Sequence, residues 1–228
     1  LSEGLPWTWE TFADYLDTLE ERSFDVDVAT QVPHAALRVY VMGKRGASRE
    51  PATSEDRAKM AKLAAEGIQA GAFGFSTSRL LQHRTAEGEP IPSYGAAEEE
   101  LQEIAGAISK IGRGWLQVVA DFGESQESEF SMLKRLVEKS GLPLTMTLLQ
   151  RDSWPNEWSE LLEKIEAANA EGHLITGQVR GRPTSTLLGF ELSENPFLGC
   201  PSWNEVEALD IKAKFKVLSD PAFRERLV

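Results

Sequence analysis

Apolar residues recur at helical spacing in four stretches of this chain, and each stretch closes on a glycine. One stripe is Met60, Leu63, Ala64, Gly67 and Ile68 before Gly71. The others are Leu101, Ile104, Ala105, Ile108 and Ile111 before Gly112, then Phe130, Leu133, Leu136 and Val137 before Gly141, then Trp158, Leu161, Leu162, Ile165 and Ala168 before Gly172. A short apolar run follows each glycine, over residues 72–76, 115–120, 142–149 and 174–179. The pattern predicts helices stopped by left-handed glycines and followed by strands. Upstream, Trp9, Phe12, Tyr15, Leu16 and Leu19 predict a helix over 8–22, and 26–32 predicts a strand closed by Pro33-His34. Residues 42–51 read as a polar loop. Thr53 is the expected N-cap of the next helix, with Glu55 and Asp56 favoured by its dipole. The connection over 77–95 is long enough to suggest function. After Val179 come two loops and three short amphipathic helices over 203–210, 211–218 and 220–227.

Short apolar strands separated by helices imply parallel pairing with right-handed crossovers. Two architectures fit five such strands, a doubly wound open sheet or part of a β/α barrel. The first strand is not left by a glycine-rich turn, as a dinucleotide fold would require; Gly71-Ala-Phe-Gly74 enters a strand instead. At 228 residues the chain is slightly short for a complete eightfold barrel, which needs about 250. It opens on Leu1, so an internal piece of a longer protein is expected.

Charged residues make up 26% and apolar residues 41% of the chain, the balance of a soluble globular domain. The net charge of −12, with scattered basic residues, argues against a nucleic-acid partner. Cys200 is the single cysteine, which excludes an internal disulfide and a thiolate zinc site. No apolar run has membrane length and no signal sequence is visible. The compartment is not specified, with the cytoplasm favoured.

Chemistry in either architecture sits where strands end. Those ends supply His34; Ser76, Ser78 and Arg79 with His83 close behind; Asp121; Gln150; and Arg180 and Arg182 followed by Thr186. His34 is open to three roles, as a ligand, a proton shuttle or a strand-end cap. His83 suits a solvated or substrate-touching position, whereas His173 begins a strand at the opposite end. Asp121 is the best acid candidate, with a helix cap as its competing role. Arg180 and Arg182 are suited to clamping a carboxylate or to surface ion pairs. No His-x-His, His-Glu-x-x-His, Gly-x-Ser-x-Gly or phosphate loop occurs. These residues alone name no reaction.

Several segments resemble one family. Leu5-Pro-Trp-Thr-Trp-Glu10 with Phe12, Val32-Pro-His-Ala-Ala-Leu-Arg38 with Val41-Met-Gly43, and Ala70-Gly-Ala-Phe-Gly-Phe-Ser-Thr-Ser78 are similar to motifs of the N-acyl-D-amino-acid deacylases. These are the D-aminoacylase branch of the metal-dependent amidohydrolases. Asn169-Ala-Glu-Gly172 and Asp220-Pro-Ala-Phe-Arg224 resemble later landmarks. The resemblance implies an incomplete parallel β/α (TIM-type) barrel of about five βα units. It implies one domain over 1–228, with its barrel units over 8–180 and a helical segment over 200–228. It also implies a parent enzyme that hydrolyses amide C–N bonds of N-acyl amino acids with zinc or another divalent metal. The family's Thr-His-x-Arg and His-x-Lys strand ends correspond here to Val118-Val-Ala-Asp121 and Thr147-Leu-Leu-Gln150. Val119 and Leu148 then stand in place of histidines, so no metal is expected on this chain and the isolated chain is expected to be inactive. Asp121 is the candidate catalytic residue. Substrate-facing candidates are His34, Ser76, Ser78, Arg79, His83, Gln150, Arg180, Arg182 and Thr186. The alternative is a non-catalytic α/β domain that binds a small anionic ligand through Arg79, Arg180 and Arg182. An unclosed barrel also leaves strand edges free, which predicts self-association; a strictly monomeric species in concentrated solution by light scattering would contradict it.

Overall fold

The computed structural model describes residues 7–85, 87–182, 187–192 and 195–227. Contacts divide the chain into two compact units, one running through His83 and Pro90–Arg180, the other made of Arg84–Glu89 and the residues from Gly181 onward.

The first unit holds α1 (Phe12–Glu20), β1 (Gln31–Pro33), α2 (His34–Met42), α3 (Lys44–Ala47), α4 (Ser54–Ala70), β2 (Gly74–Arg79), α5 (Glu98–Ser109), β3 (Leu116–Ala120), α6 (Gln126–Ser140), β4 (Leu144–Thr147), α7 (Glu157–Ala170) and β5 (Ile175–Gln178). The strands form one sheet in the order β1-β2-β3-β4-β5, and every neighbouring pair is parallel. A doubly wound sheet reverses its strand order part-way. This one does not, so it follows the progression of a barrel, left unclosed, with β1 and β5 each paired on one side only among the described residues.

Strand alternation decides the layers. Phe75, Leu116, Val118, Leu144, Met146 and Ile175 are buried and join the apolar faces of α4 to α7 in one core. The other parity, Ser76, Gln117, Thr145 and Thr176, lies in one register row on the opposite, concave face. That row is polar and only partly buried at most. Closed barrels usually fill this layer with bulky branched side chains, so the polar row marks a wetted wall.

Helix signals explain the layer of helices. Thr53 and Asp56 form a reciprocal capping box at the start of α4, and Thr11 and Asp14 form one at α1. Gly141 stops α6 in the left-handed region at φ 68°. Adjacent helices are cross-linked on their outer side by Arg135–Glu98, Lys164–Glu127 and Lys134–Glu171 ion pairs.

Several boundaries differ from expectation. The helix expected over 8–22 spans Phe12–Glu20, because its capping box begins only at Thr11. The strand expected over 26–32 is Gln31–Pro33; residues 24–29 are exposed and pair with nothing in the sheet. His34 does not end a segment but begins α2, directly on the strand and with no side-chain cap. The expected loop over 42–51 contains α3.

The second unit has a short 3-10 turn (Pro201–Glu205), α8 (Ile211–Leu218) and α9 (Pro221–Leu227). Its small core gathers Trp203, Val206, Phe223 and Leu227 against Phe190 and Phe197. Lys214 is buried there, donating to the Phe190 carbonyl at 3.2 Å and lying over the Trp203 ring.

Candidate functional site

At the C-terminal ends of β1, β2 and β3 the sheet opens into a cavity of about 310 Å³ lined by Pro33, His34, Ala35, Ser76, Thr77, Ser78, Ile91, Ser93, Gln117 and Val119. Strand parity turns Ser76, Ser78, Gln117 and Val119 toward it. The segment after β2 folds back over the mouth. Ser93 is buried and donates to the Ser78 carbonyl at 2.8 Å, and the Ile91 amide donates to the His83 carbonyl. Ser78 Oγ and His83 Nδ1 lie 2.7 Å apart on the exposed rim. Asp121 sits on the same face, where its carboxylate accepts the Leu81 amide at 2.6 Å and so ties the end of β3 to the loop after β2.

His34 lies beneath this surface. Its Nε2 is 2.6 Å from a Glu100 oxygen and its Nδ1 is 2.8 Å from Thr77 Oγ1, with all three residues buried. A carboxylate only accepts, so Nε2 carries the proton, and the neutral ring then accepts from the Thr77 hydroxyl. Both ring nitrogens are thereby engaged, and His34 presents only its backbone neighbourhood to the cavity. Burial holds the imidazole below its ordinary range, against the opposing pull of Glu100. Burial pushes Glu100 upward, but the hydrogen bonds from His34 and Arg38 together outweigh it and hold the carboxyl below the usual carboxylate range. Arg38 also donates to the Glu50 carbonyl at 2.7 Å.

The Arg38–Glu100 pair has counterparts along this face. Arg79 at the end of β2 bonds Glu129 at the start of α6, and donates to the Ala96 carbonyl. Arg151, after β4, pairs with Glu157 of α7, whose carboxylate also accepts the Gly123 amide. Arg45 reaches Asp56 of α4 at 3.0 Å. The Thr53 backbone bond, helped by Arg45, holds the Asp56 carboxyl down to about 2. Each acid lies in the first or second turn of its helix, where the dipole favours it, and the arginines come from α2, α3, the end of β2 and the connection after β4. The face is thus stapled by a series of acid–arginine pairs.

The strand-end candidates divide accordingly. Ser76 and Ser78 line the cavity, His83 is bonded to Ser78, and Asp121 is held by the Leu81 amide outside the lining. The Arg79 guanidinium is committed to Glu129 and Ala96. Gln150 and Arg180 are exposed at the far side of the sheet, Arg182 is exposed in the second unit, and Thr186 lies outside the described residues. Thr77, Ser93, Gln117, Arg38 and Glu100 were not singled out from the sequence. Glu100 carried a signal: it stands four and eight residues before Ile104 and Ile108, on the apolar stripe rather than beside it.

A model of the amidohydrolase family matches residues 3–223. The chain belongs to the amidohydrolase family. Among its relatives, the D-aminoacylase of Alcaligenes xylosoxydans xylosoxydans is 31% identical over 172 residues, covering 75% of this chain and 33% of that protein. The N-acyl-D-aspartate deacylase of the same organism is 39% identical over 98 residues, 43% of this chain and 19% of the relative. A solved D-aminoacylase structure superposes with a TM-score of 0.61 at 26% identity, over 73% of this chain and 33% of the other. An N-acyl-D-glutamate deacylase from Bordetella bronchiseptica, solved with zinc and a phosphonate inhibitor, shares the fold at a TM-score of 0.59, 19% identity and the same coverage. The chain spans about a third of the length of the D-aminoacylase relative and of each of these solved structures.

Another similar solved structure is of a D-aminoacylase with a binuclear metal centre. Among the described residues no three of His, Cys, Asp and Glu come together as ligands. Val119 faces the cavity but has no lone pair to offer. Leu148 shares the parity of Leu144 and Met146 and is buried on the helix side. The residues of this wall do not fit a catalytic metal.

Proposed function

We propose that this chain forms one wall of the substrate site of a C–N hydrolase of the N-acyl-D-amino-acid deacylase type. The observation that carries the reading is the polar concave row, Ser76, Gln117, Thr145 and Thr176, of which Ser76 and Gln117 line the strand-end cavity together with Ser78. Hydroxyls and carboxamides there suit the acyl amide and carboxylate of an N-acyl amino acid, donating and accepting without a fixed charge. His83, held against the cavity-lining Ser78, and Asp121, held by the Leu81 amide, are the candidate proton-handling groups. Gln150, Arg180, Arg182 and Thr186 remain candidate outer contacts. Metal-activated water would come from residues beyond this wall, so no hydrolytic step is assigned to it and the isolated chain is expected to bind without turnover. The competing reading, an anion-binding module built on Arg79, Arg180 and Arg182, is weakened by the engagement of Arg79 with Glu129.

Titration calorimetry with N-acetyl-D-methionine tests the proposal. Saturable binding is expected, and Ser76→Ala and Ser78→Ala are each expected to weaken it about two- to tenfold, the worth of one neutral hydrogen bond. Binding that ignores both substitutions, or no binding at millimolar ligand, would remove the cavity from consideration.

A further inference from the structure

A larger cavity, of about 780 Å³, lies on the flank of the first unit, walled by α1 and the residues before it, by β1, and by α2 and α4. It shares only Pro33 with the lining of the strand-end cavity. α1 carries Phe12, Tyr15, Leu16 and Leu19 on one side, yet none of its residues is buried. Phe12 packs against the core and Leu16 lies over Gly71 at the end of α4, while Phe12 and Tyr15 also line the cavity that the helix leaves beside β1. The floor is tight: a Cβ added at Gly67 of α4 would lie 2.6 Å from Val32 Cγ2 of β1.

The roof is a run of rings. Centroids are 5.1 Å apart from Trp7 to Trp9, 5.0 Å from Trp9 to Tyr15 and 5.6 Å from Tyr15 to Phe12. The polar side chains on the lining are the carboxylates of Glu10 and Glu66, the hydroxyls of Thr11, Tyr15, Thr30 and Tyr40, the Gln31 carboxamide and the indole N–H groups of Trp7 and Trp9. Gln31 Oε1 is buried without a hydrogen-bond partner. Glu10 holds the Tyr40 hydroxyl. Glu66 is within 3.6 Å of Lys62, an exposed pair that leaves Glu10 as the principal fixed charge. Among the described residues, no Lys, Arg or His lines the cavity.

An anion would face carboxylates here, and an apolar neutral molecule would leave the Gln31 oxygen unpaired at a cost. A cation on an apolar body meets ring faces, a carboxylate and a waiting acceptor at once. We propose that this cavity binds a small arylalkylammonium ion, its ring packed under Trp9 and Tyr15 and its N–H groups directed to Gln31 and Glu10.

The test is titration of the chain with phenethylammonium, 2-phenylethanol and 3-phenylpropionate, followed by calorimetry and by saturation transfer to the probe protons. The ammonium is expected to bind saturably and about tenfold or more tightly than the alcohol, with the carboxylate not binding. Trp9→Ala and Glu10→Gln are each expected to weaken the ammonium about three- to tenfold, with circular dichroism unchanged. If Trp9→Ala loses helix, Glu10→Gln, on an exposed side chain, still decides the matter. Equal affinity for ammonium and alcohol, or indifference to Glu10→Gln, would overturn the proposal. So would a concentration-dependent dimer that Trp9→Ala abolishes while no probe binds, which would assign the cavity to a second copy of the chain.

Discussion

Replacing Glu100 by alanine is expected to cost about 3–5 kcal/mol of unfolding free energy, because it leaves the buried Arg38 guanidinium without a counter-charge. Glu100 bonds both His34 and Arg38, and its side chain is 1% exposed. The three residues join α2 to α5, and Thr77 of β2 completes the network through His34. Arg38 cannot lose its charge to relieve the strain. Glu100→Gln keeps the shape and part of the hydrogen bonding and is expected to lose less, about 1.5–3 kcal/mol. Urea unfolding of the three proteins measures this; a loss under about 1 kcal/mol for alanine would mean that Arg38 finds water. The same network gives stability a pH signature. The folded-state pKa of His34 lies below its ordinary 6.5, so its contribution is complete above pH 6.5 and is lost as pH falls below that, when only the unfolded state takes up the proton. Glu100 is held below its ordinary 4.5, so a second loss begins below pH 4.5. Glu100→Gln should reduce the lower loss, to which Asp56 also contributes, and deepen the His34 loss by removing the opposing pull of Glu100.

The progression of parallel strands was legible because it rests on local signals. Each glycine stop after an apolar stripe, at Gly71, Gly112, Gly141 and Gly172, has positive φ in the structure. The concave wall was legible in part: Ser76 and Ser78 follow from alternation along β2, but Gln117 shows its role only once β3 is in register with β2. α2 was not legible. It grows straight from β1 without a cap, and its Val39 and Tyr40 are exposed while Arg38 is buried, which inverts the usual reading of those side chains. The staples were hidden for a different reason. Glu100 lies in the run Glu98–Glu99–Glu100, where an acidic first turn suffices as explanation, and its partners are 62 and 66 residues away. Yet Asp56, Glu100, Glu129 and Glu157 each stand four residues before a buried apolar residue, Met60, Ile104, Leu133 and Leu161. An acid in phase with an apolar stripe implies a buried partner, and that rule would have returned Arg79 as a structural arginine before any substrate was considered.

Gly74→Ala is expected to destabilise the protein by about 3 kcal/mol, the upper end of the usual cost of overpacking. β2 begins at Gly74, beside the Trp115 carbonyl that accepts the Phe75 amide at 2.8 Å. A Cβ at Gly74 would stand 2.1 Å from that oxygen and 2.9 Å from its carbon. The obstacle is backbone, so no rotamer change relieves it, and β2 must part from β3 where the sheet enters the core. Gly106 supplies the opposite case. It lies within α5 with nothing inside 4 Å of an added Cβ, so Gly106→Ala should stabilise by about 0.5–1 kcal/mol through helix propensity alone. Thermal unfolding of the pair should therefore shift the midpoint down for one and up for the other. A Gly74→Ala protein as stable as the parent would show that β2 and β3 do not meet in this register, and the polar wall built on that register would have to be redrawn.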